Sequence, residues 1–75
     1  MAYYLRRSTK IHGHFLEASW DSDSRCYHII LDAVVIFELH DTALPRLGRS
    51  FLFLCDAIFD LTAKRLERFY RKSGR

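Results

Sequence analysis

The chain has 75 residues, of which 49% are hydrophobic and 15% aromatic, and it carries a formal net charge of +3. This composition excludes an intrinsically disordered protein, and the length allows one domain that buries only about 60–65% of its unfolded surface. No apolar run approaches the roughly 18 residues that a membrane crossing needs, and Met1–Lys10 lacks the apolar centre of a signal peptide, so we expect a cytoplasmic protein without membrane contact.

The first third of the chain predicts a loose arm followed by a strand and a turn. Residues 1–10 keep neither helical nor strand periodicity for long, and we expect them to form the arm. From Ile11 to Trp20, alternation places Leu16 and Trp20 on one side, which predicts a half-buried strand. The polar run Asp21–Ser24 consists of turn formers and predicts a turn.

The middle of the chain predicts a β-hairpin. Two β-branched and aromatic runs, Arg25–Leu31 and Val34–Leu39, are separated only by Asp32 and Ala33. Asp-Ala is a poor substitute for the Asp-Gly that a type I′ turn prefers. The alternative prediction is therefore a longer or bulged loop. With a two-residue loop, both faces of this hairpin are apolar.

Two apolar faces are unusual for an antiparallel sheet, which normally has one buried face and one solvent-exposed face. One face is expected to meet a helix. For the other we predict a homodimer, in which a second copy packs on the sheet or extends its edge. The alternative is that the segment following the strands covers it. The predicted dimer interface comprises Ile29, Leu31, Val34 and Ile36.

The rest of the chain predicts a short connector and one long helix. Residues 41–47 are typical of a short helical turn, and Ser50 is expected to cap a helix over residues 50–72. The fold class predicted for this single domain, residues 1–75, is α+β, with a three-stranded antiparallel meander over residues 11–39 packed on the helix. The predicted apolar stripe of the helix is Phe51, Leu54, Cys55, Ile58, Phe59, Thr62, Leu66 and Phe69.

The sequence contains no catalytic signature, so we expect a non-enzymatic protein without a cofactor or small-molecule substrate. The two cysteines, Cys26 and Cys55, are too few and too far apart in the sequence to form a disulfide framework. We therefore predict free buried thiols. Cys26 lies two residues from His28, but its apolar neighbours predict an inert thiol with a raised pKa.

A zinc site is not expected either. His12 and His14 have the spacing of a metal-binding pair, yet two more ligands would be needed. The nearest candidates are His28, His40 and Cys26, and surface histidines are the favoured interpretation.

Basic residues concentrate at the end of the chain, where six cations and one carboxylate give +5 over the last twelve residues. Such an end complements a helix dipole, or it binds nucleic acid or an acidic partner. Aromatic rings interleave with the cations here and in the arm, as they do in nucleic-acid stacking platforms. The candidate nucleic-acid or partner-binding residues are Lys64, Arg65, Arg68, Tyr70, Arg71, Lys72, Arg6 and Arg7.

Several positions also suggest a family. The hairpin is followed by the step Ala43-Leu44, and the helix carries Phe51, Ile58, Ala63 and Lys64, with Asp56 at an acidic position. Over roughly Ser19–Arg75 the chain therefore resembles a family of short bacterial proteins catalogued as domain of unknown function 1488. The resemblance implies a compact domain made of a hairpin and a helix, and it implies nothing about chemistry.

The leading hypothesis is a small non-enzymatic binding protein, a homodimer, that associates with another macromolecule through its basic, aromatic helix end. One alternative is an accessory protein that binds nucleic acid. Another is a small inhibitor, carried by a phage or mobile element, that acts on a host protein complex.

Overall fold

A computed structural model describes residues 3–41 and 49–73. Within these residues the elements are β1 (Tyr3–Ile11), β2 (His14–Asp21), β3 (Cys26–Leu31), β4 (Val34–His40) and α1 (Arg49–Ser73). The strands form one antiparallel sheet in the order β1-β2-β3-β4. The α+β class with one long C-terminal helix is confirmed, whereas the prediction of three strands is wrong because the sheet has four. The turn predicted over residues 41–47 lies, beyond Asp41, outside the described residues.

The additional strand, β1, occupies the segment that was expected to be a loose arm. The chain reverses at His12 and Gly13, whose φ angles are 50° and 86°. Positive φ at both central residues is the type I′ pattern, whose twist suits an antiparallel pair. The segment Ile11–Trp20 is therefore divided between two strands. The His-Gly dipeptide carried this information, and alternation alone did not reveal it.

Helix α1 begins and ends within one residue of the predicted bounds, although Ser50 lies inside the helix rather than at its cap. Its last turn contains Arg71 and Lys72, which complement the partial negative charge of a helix C-terminus. No helix in the described part of the chain is both long and apolar enough to span a bilayer.

The core lies between α1 and one face of the sheet, which we call the covered face. Trp20 packs on Phe51 there, with ring centroids 5.7 Å apart. Each large apolar side chain fully buried in this layer contributes about 1.5–3 kcal/mol. The buried cluster consists of Ile11, Leu16, Ala18, Tyr27, Ile29, Phe51, Cys55 and Phe59.

The covered face includes half of the predicted dimer interface. Ile29 is fully buried and Leu31 packs against the core cluster, so neither is available to a second copy. Val34 and Ile36 remain 62% and 44% exposed. The helix covers the side of the hairpin that was assigned to association. The opposite side, which we call the open face, carries side chains such as Phe15 and Ile30.

Strand β4 contains a β-bulge. A bulge had been predicted, as an alternative, only for the loop between the two strands of the hairpin. The pairing with β3 shifts between Ile29 and Ile30, and Ile36 is left without a partner residue. Because strand side chains alternate between faces, one extra residue sends every later side chain of β4 to the other face. The resulting cross-strand pairs are His28 with Glu38 and Cys26 with His40.

The loop between β3 and β4 does have two residues, and it leads to a prediction. Asp32 and Ala33 adopt φ of 48° and 68°. A non-glycine residue in this left-handed region costs roughly 1–2 kcal/mol, and glycine avoids that cost while gaining about 0.5–1 kcal/mol of unfolded-state freedom. We therefore expect Ala33→Gly to raise the free energy of unfolding, measured in urea, by about 0.5–1 kcal/mol.

The other hairpin offers the matched control. At Gly13, an added Cβ would meet no atom within 4 Å, so Gly13→Ala tests the backbone alone. It should lower the free energy of unfolding by about 1 kcal/mol. An Ala33→Gly variant less stable than wild type would contradict a positive φ at Ala33.

Candidate partner-binding groove

A charge cluster around Asp56 fastens β1 to α1. The Asp56 side chain is 13% exposed and accepts a hydrogen bond from Arg6 at 2.8 Å. The Tyr27 hydroxyl donates to the same carboxylate at 2.8 Å. Burial by itself would raise the pKa of Asp56, but the hydrogen bonds from Arg6 and Tyr27 outweigh it and hold the pKa below its ordinary value. Asp56 is therefore an ionised anchor between the helix and the sheet.

Arg7 joins the same cluster. Its guanidinium lies 3.8 Å from a carboxylate oxygen of Asp56 and 3.5 Å from one of Asp60. Arg6 and Arg7, in the N-terminal segment, were predicted to bind a partner. Both instead have carboxylates of their own chain as neighbours. Their charges are largely compensated within the protein.

A groove of about 570 Å³ opens between the end of β1 and the second half of α1. We call it the basic groove, because the α1 residues that line it include Lys64, Arg68 and Arg71 and, among the described residues, a single carboxylate. The residues that line it are Thr9, Lys10, Ile11, His12, Ala63, Lys64, Glu67, Arg68 and Arg71.

The one carboxylate of the basic groove, Glu67, is already paired. His12 Nε2 lies 2.5 Å from its Oε2, and Arg71 forms an ion pair with its other oxygen. The hydrogen bonds from His12 and Arg71 hold the pKa of Glu67 below its ordinary value. Within residues 3–41 and 49–73, no carboxylate oxygen lies within the 4.0 Å ion-pair distance of Lys64 or Arg68. The groove therefore presents uncompensated positive charge.

The floor of the basic groove is apolar. Ile11 is only 7% exposed and belongs to the core cluster, and Ala63 is half-buried beside it. The cations above this floor come from α1, because the Lys10 ammonium group lies 5.1 Å from the centre of the Phe15 ring, on the open face. An apolar floor with a cationic rim suits a ligand that has both an apolar side chain and negative charge.

Only some of the predicted binding residues of α1 line the basic groove. Lys64, Arg68 and Arg71 line the basic groove, while Arg65 and Lys72 are exposed on α1 outside its lining. Lys10 and His12 also line the groove, although neither was among the predicted binding residues. The basic character of Lys10 was visible, but its position depends on the strand that was read as an arm.

The two aromatic residues at the helix end differ from their predicted burial, since Tyr70 was expected at the binding surface and Phe69 in the core. Tyr70 is half-buried and stacks on His14, with ring centroids 4.2 Å apart and planes 10° from parallel. Its ring is thus already occupied. Phe69 was expected on the apolar stripe but is 63% exposed. The single exposed ring at the basic end of the helix is therefore Phe69, among the described residues.

Both cysteines are free and buried. Burial and the nearby Glu38 raise the pKa of the Cys26 thiol, which confirms the predicted direction. Burial also raises the pKa of Cys55 to about 11. Neither thiol has the depressed pKa of a catalytic nucleophile.

No family model, curated protein or solved structure matches the chain. The resemblance to domain of unknown function 1488 stays a prediction, and proposals about function rest on the geometry of the protein itself.

Proposed function

We propose that this is a non-enzymatic binding protein whose basic groove receives an acidic segment of a partner protein. The observation that carries the proposal is a row of cations without carboxylate neighbours, Lys64 and Arg68, beside the apolar floor formed by Ile11 and Ala63. Unpaired positive charge steers a negative partner towards the surface, and burial of apolar side chains supplies affinity. An inhibitor of a host protein complex would be one form of this activity.

An acidic protein is favoured over nucleic acid by the state of the aromatic and basic residues. Tyr70 stacks within the chain, and Arg6 and Arg7 pair with carboxylates of α1. These residues would otherwise supply the stacking ring and the phosphate contacts that single-stranded nucleic acid requires.

Nucleic-acid binding remains a second candidate because Phe69 is exposed beside Arg65, Arg68 and Lys72. If it is the function, a labelled single strand should bind with an affinity that falls steeply with added salt. Fluorescence anisotropy at low ionic strength measures this directly. The acidic-partner proposal expects no such binding.

The acidic-partner proposal is tested by a charge reversal inside the groove. We expect Lys64→Glu with Arg68→Glu to abolish capture of the partner that wild-type protein retains from cells of its source, quantified by mass spectrometry. The matched control is Arg65→Glu with Lys72→Glu, which changes the net charge equally on the same helix but outside the groove. This control should retain at least half of the partner.

Equal loss in both double variants would show that net charge alone attracts the partner, and the groove would have no role. Retention in both variants would place the interface elsewhere. Circular dichroism of each variant establishes that α1 is intact, since all four substitutions lie at exposed helical positions.

We also propose that a second copy packs on the outer apolar patch of α1, which consists of Phe53, Leu54, Ala57 and Leu61. Phe53 and Leu61 are 72% and 61% exposed, and Ala57 stands four residues from each. Side chains four residues apart form a ridge, and two such ridges interdigitate at a crossing angle of about −50°. With Ala57 at the crossing point, Phe53 of each copy would meet Leu61 of the other, and the basic helix ends would point apart.

A further inference from the structure

Four side chains that commonly bind metals meet on the open face of the sheet. Cys26 and His28 come from β3, and Glu38 and His40 come from β4. Because residues two apart along a strand share a face, and because each pair lies in register across the hairpin, the four side chains form one cluster. The bulge at Ile36 creates this arrangement, since it turns Glu38 and His40 towards the open face.

The ligand atoms of this cluster are close together. Cys26 Sγ lies 3.5 Å from His28 Nε2 and 3.7 Å from His40 Nε2. Glu38 bridges the two histidines, with Oε2 2.9 Å from His28 Nε2 and Oε1 3.5 Å from His40 Nε2. The ligand atoms of Cys26, His28 and Glu38 all lie within 4.8 Å of one another.

These separations match those of a tetrahedral zinc site. With Zn–S near 2.3 Å and Zn–N near 2.0–2.1 Å, tetrahedral geometry places a sulfur and a nitrogen ligand about 3.5 Å apart. The two sulfur–nitrogen distances in the cluster are 3.5 and 3.7 Å. An ion between Cys26, His28 and Glu38 would therefore need little movement of the backbone, and the exposed His40 side chain would turn towards it as the fourth ligand.

We propose that Cys26, His28, Glu38 and His40 bind Zn²⁺. Thiolate and imidazole ligands in tetrahedral arrangement favour zinc over magnesium or calcium, which take oxygen ligands. Four protein ligands fill the coordination sphere, as in structural rather than catalytic sites. The bond that forms at sulfur replaces the S–H bond, so the thiol proton is released to solvent on binding.

Burial differs between the two sides of the site. Cys26 is 2% exposed and the His28 side chain 17%, whereas the side chains of Glu38 and His40 are 53% and 51% exposed. The inner ligands are thus fixed by the sheet, and the outer ligands are free to admit an ion from solvent.

The environment of His28 also calls for a cation. Its Nε2 faces both the Cys26 sulfur and a Glu38 oxygen, which are rich in lone pairs. Zinc at Nε2 would bind the sulfur, the carboxylate and this nitrogen together.

The proposed ion would tie β4, an edge strand, to β3. A domain of this size has a thin core, and a structural metal is a common source of additional stability. This role is independent of the basic groove, which lies between β1 and α1.

The experiment is a titration of the full chain, reduced and freed of metal, with Zn²⁺ in competition with a chromophoric chelator. We expect saturable binding of one ion per chain and release of about one proton, the thiol proton displaced on zinc binding. With Co²⁺ as the probe, we expect the near-ultraviolet charge-transfer band of a cobalt–thiolate bond.

Variants separate this site from other thiols and histidines. Cys26→Ser should abolish the cobalt–thiolate band, whereas Cys55→Ser, at the other buried cysteine, should keep it. Glu38→Gln and His40→Gln alter exposed side chains and are expected to fold. Each should weaken zinc binding by at least about 10-fold, with Glu17→Gln as the unaffected control.

Three results would overturn the proposal. These are no saturable binding at one ion per chain, a cobalt–thiolate band that survives Cys26→Ser, and zinc binding that is lost in His14→Ala but unchanged in Glu38→Gln. If Cys26→Ser fails to fold, the Glu38 and His40 variants decide the outcome.

Discussion

Replacing Asp56 with alanine is expected to lower the free energy of unfolding by about 3 kcal/mol. The Tyr27 hydroxyl would lose its acceptor while its residue stays fully buried, and an unsatisfied buried group costs about 1–3 kcal/mol. Arg6 would lose a paired carboxylate that is 13% exposed, so solvent screens this interaction less than it would a surface pair. Urea denaturation at neutral pH measures the sum.

Asp60→Ala is the matched control. Asp60 lies one turn further along α1, and its side chain is 54% exposed and pairs with Arg7 at 3.5 Å. Because both substitutions introduce alanine into the same helix, the change in helix propensity cancels in the comparison. We expect Asp60→Ala to cost less than about 0.5 kcal/mol. Equal effects of the two substitutions would show that Asp56 does not join α1 to the sheet.

The same carboxylate predicts a dependence of stability on pH. The folded-state pKa of Asp56 lies below its ordinary value, so its contribution is fully present above an unfolded pKa of about 3.9. It is lost as the pH falls through the folded pKa. The stability difference between wild type and Asp56→Ala should therefore be constant near neutral pH and shrink below about pH 4.

The second large effect is expected on self-association. We expect Leu61→Glu to convert a dimer into a monomer, with the dissociation constant raised by at least about 100-fold, because a charge placed against Phe53 of the second copy must be desolvated. Sedimentation equilibrium over a wide concentration range is the measurement. Glutamate is a good helix former, so α1 itself should be unaffected.

Val34→Glu is the control for this experiment. Val34 is 62% exposed and belongs to the interface predicted from the sequence, at the edge strand β4. Dissociation by Val34→Glu with no effect of Leu61→Glu would move the interface from α1 to the sheet edge. A wild-type protein that is monomeric at all concentrations would eliminate the homodimer.

The sequence was sufficient for the elements with strong local signals. The gradient from apolar to basic residues located α1 within one residue at each end, and the polar run after Asp21 located the turn before β3. That turn is held as expected, since an Asp21 carboxylate oxygen accepts a hydrogen bond from the backbone N–H of Asp23 at 3.0 Å. The raised pKa of Cys26 was also predicted, but its neighbours are His28, Glu38 and His40 instead of the expected apolar side chains.

Strand β1 could not be predicted in the same way because its stabilising contacts are distant in the chain. Its residues are exposed from Tyr3 to Ser8, so an edge strand of this kind has no apolar alternation. Arg6 and Arg7 hold it to carboxylates about fifty positions away. The basic groove depends on this strand, and a groove between β1 and α1 was therefore not predicted.

The bulge in β4 was hidden for a different reason. The run Val34–Phe37 is apolar at every position, so one extra residue leaves the hydrophobic pattern unchanged. Without the bulge, Glu38 would oppose Tyr27 on the covered face. The cluster around Cys26 was thus invisible in the sequence, although three of its four members had been considered as ligands.

The unpaired position of Ile36 means that the length of β4 decides which polar groups reach the outside of this hairpin. Deleting one residue there would leave the strand almost as apolar as before. Glu38 and His40 would then lie on the covered face, beneath α1. Short insertions and deletions, more than point substitutions, are therefore the route by which evolution could give or remove a chelating surface on this scaffold.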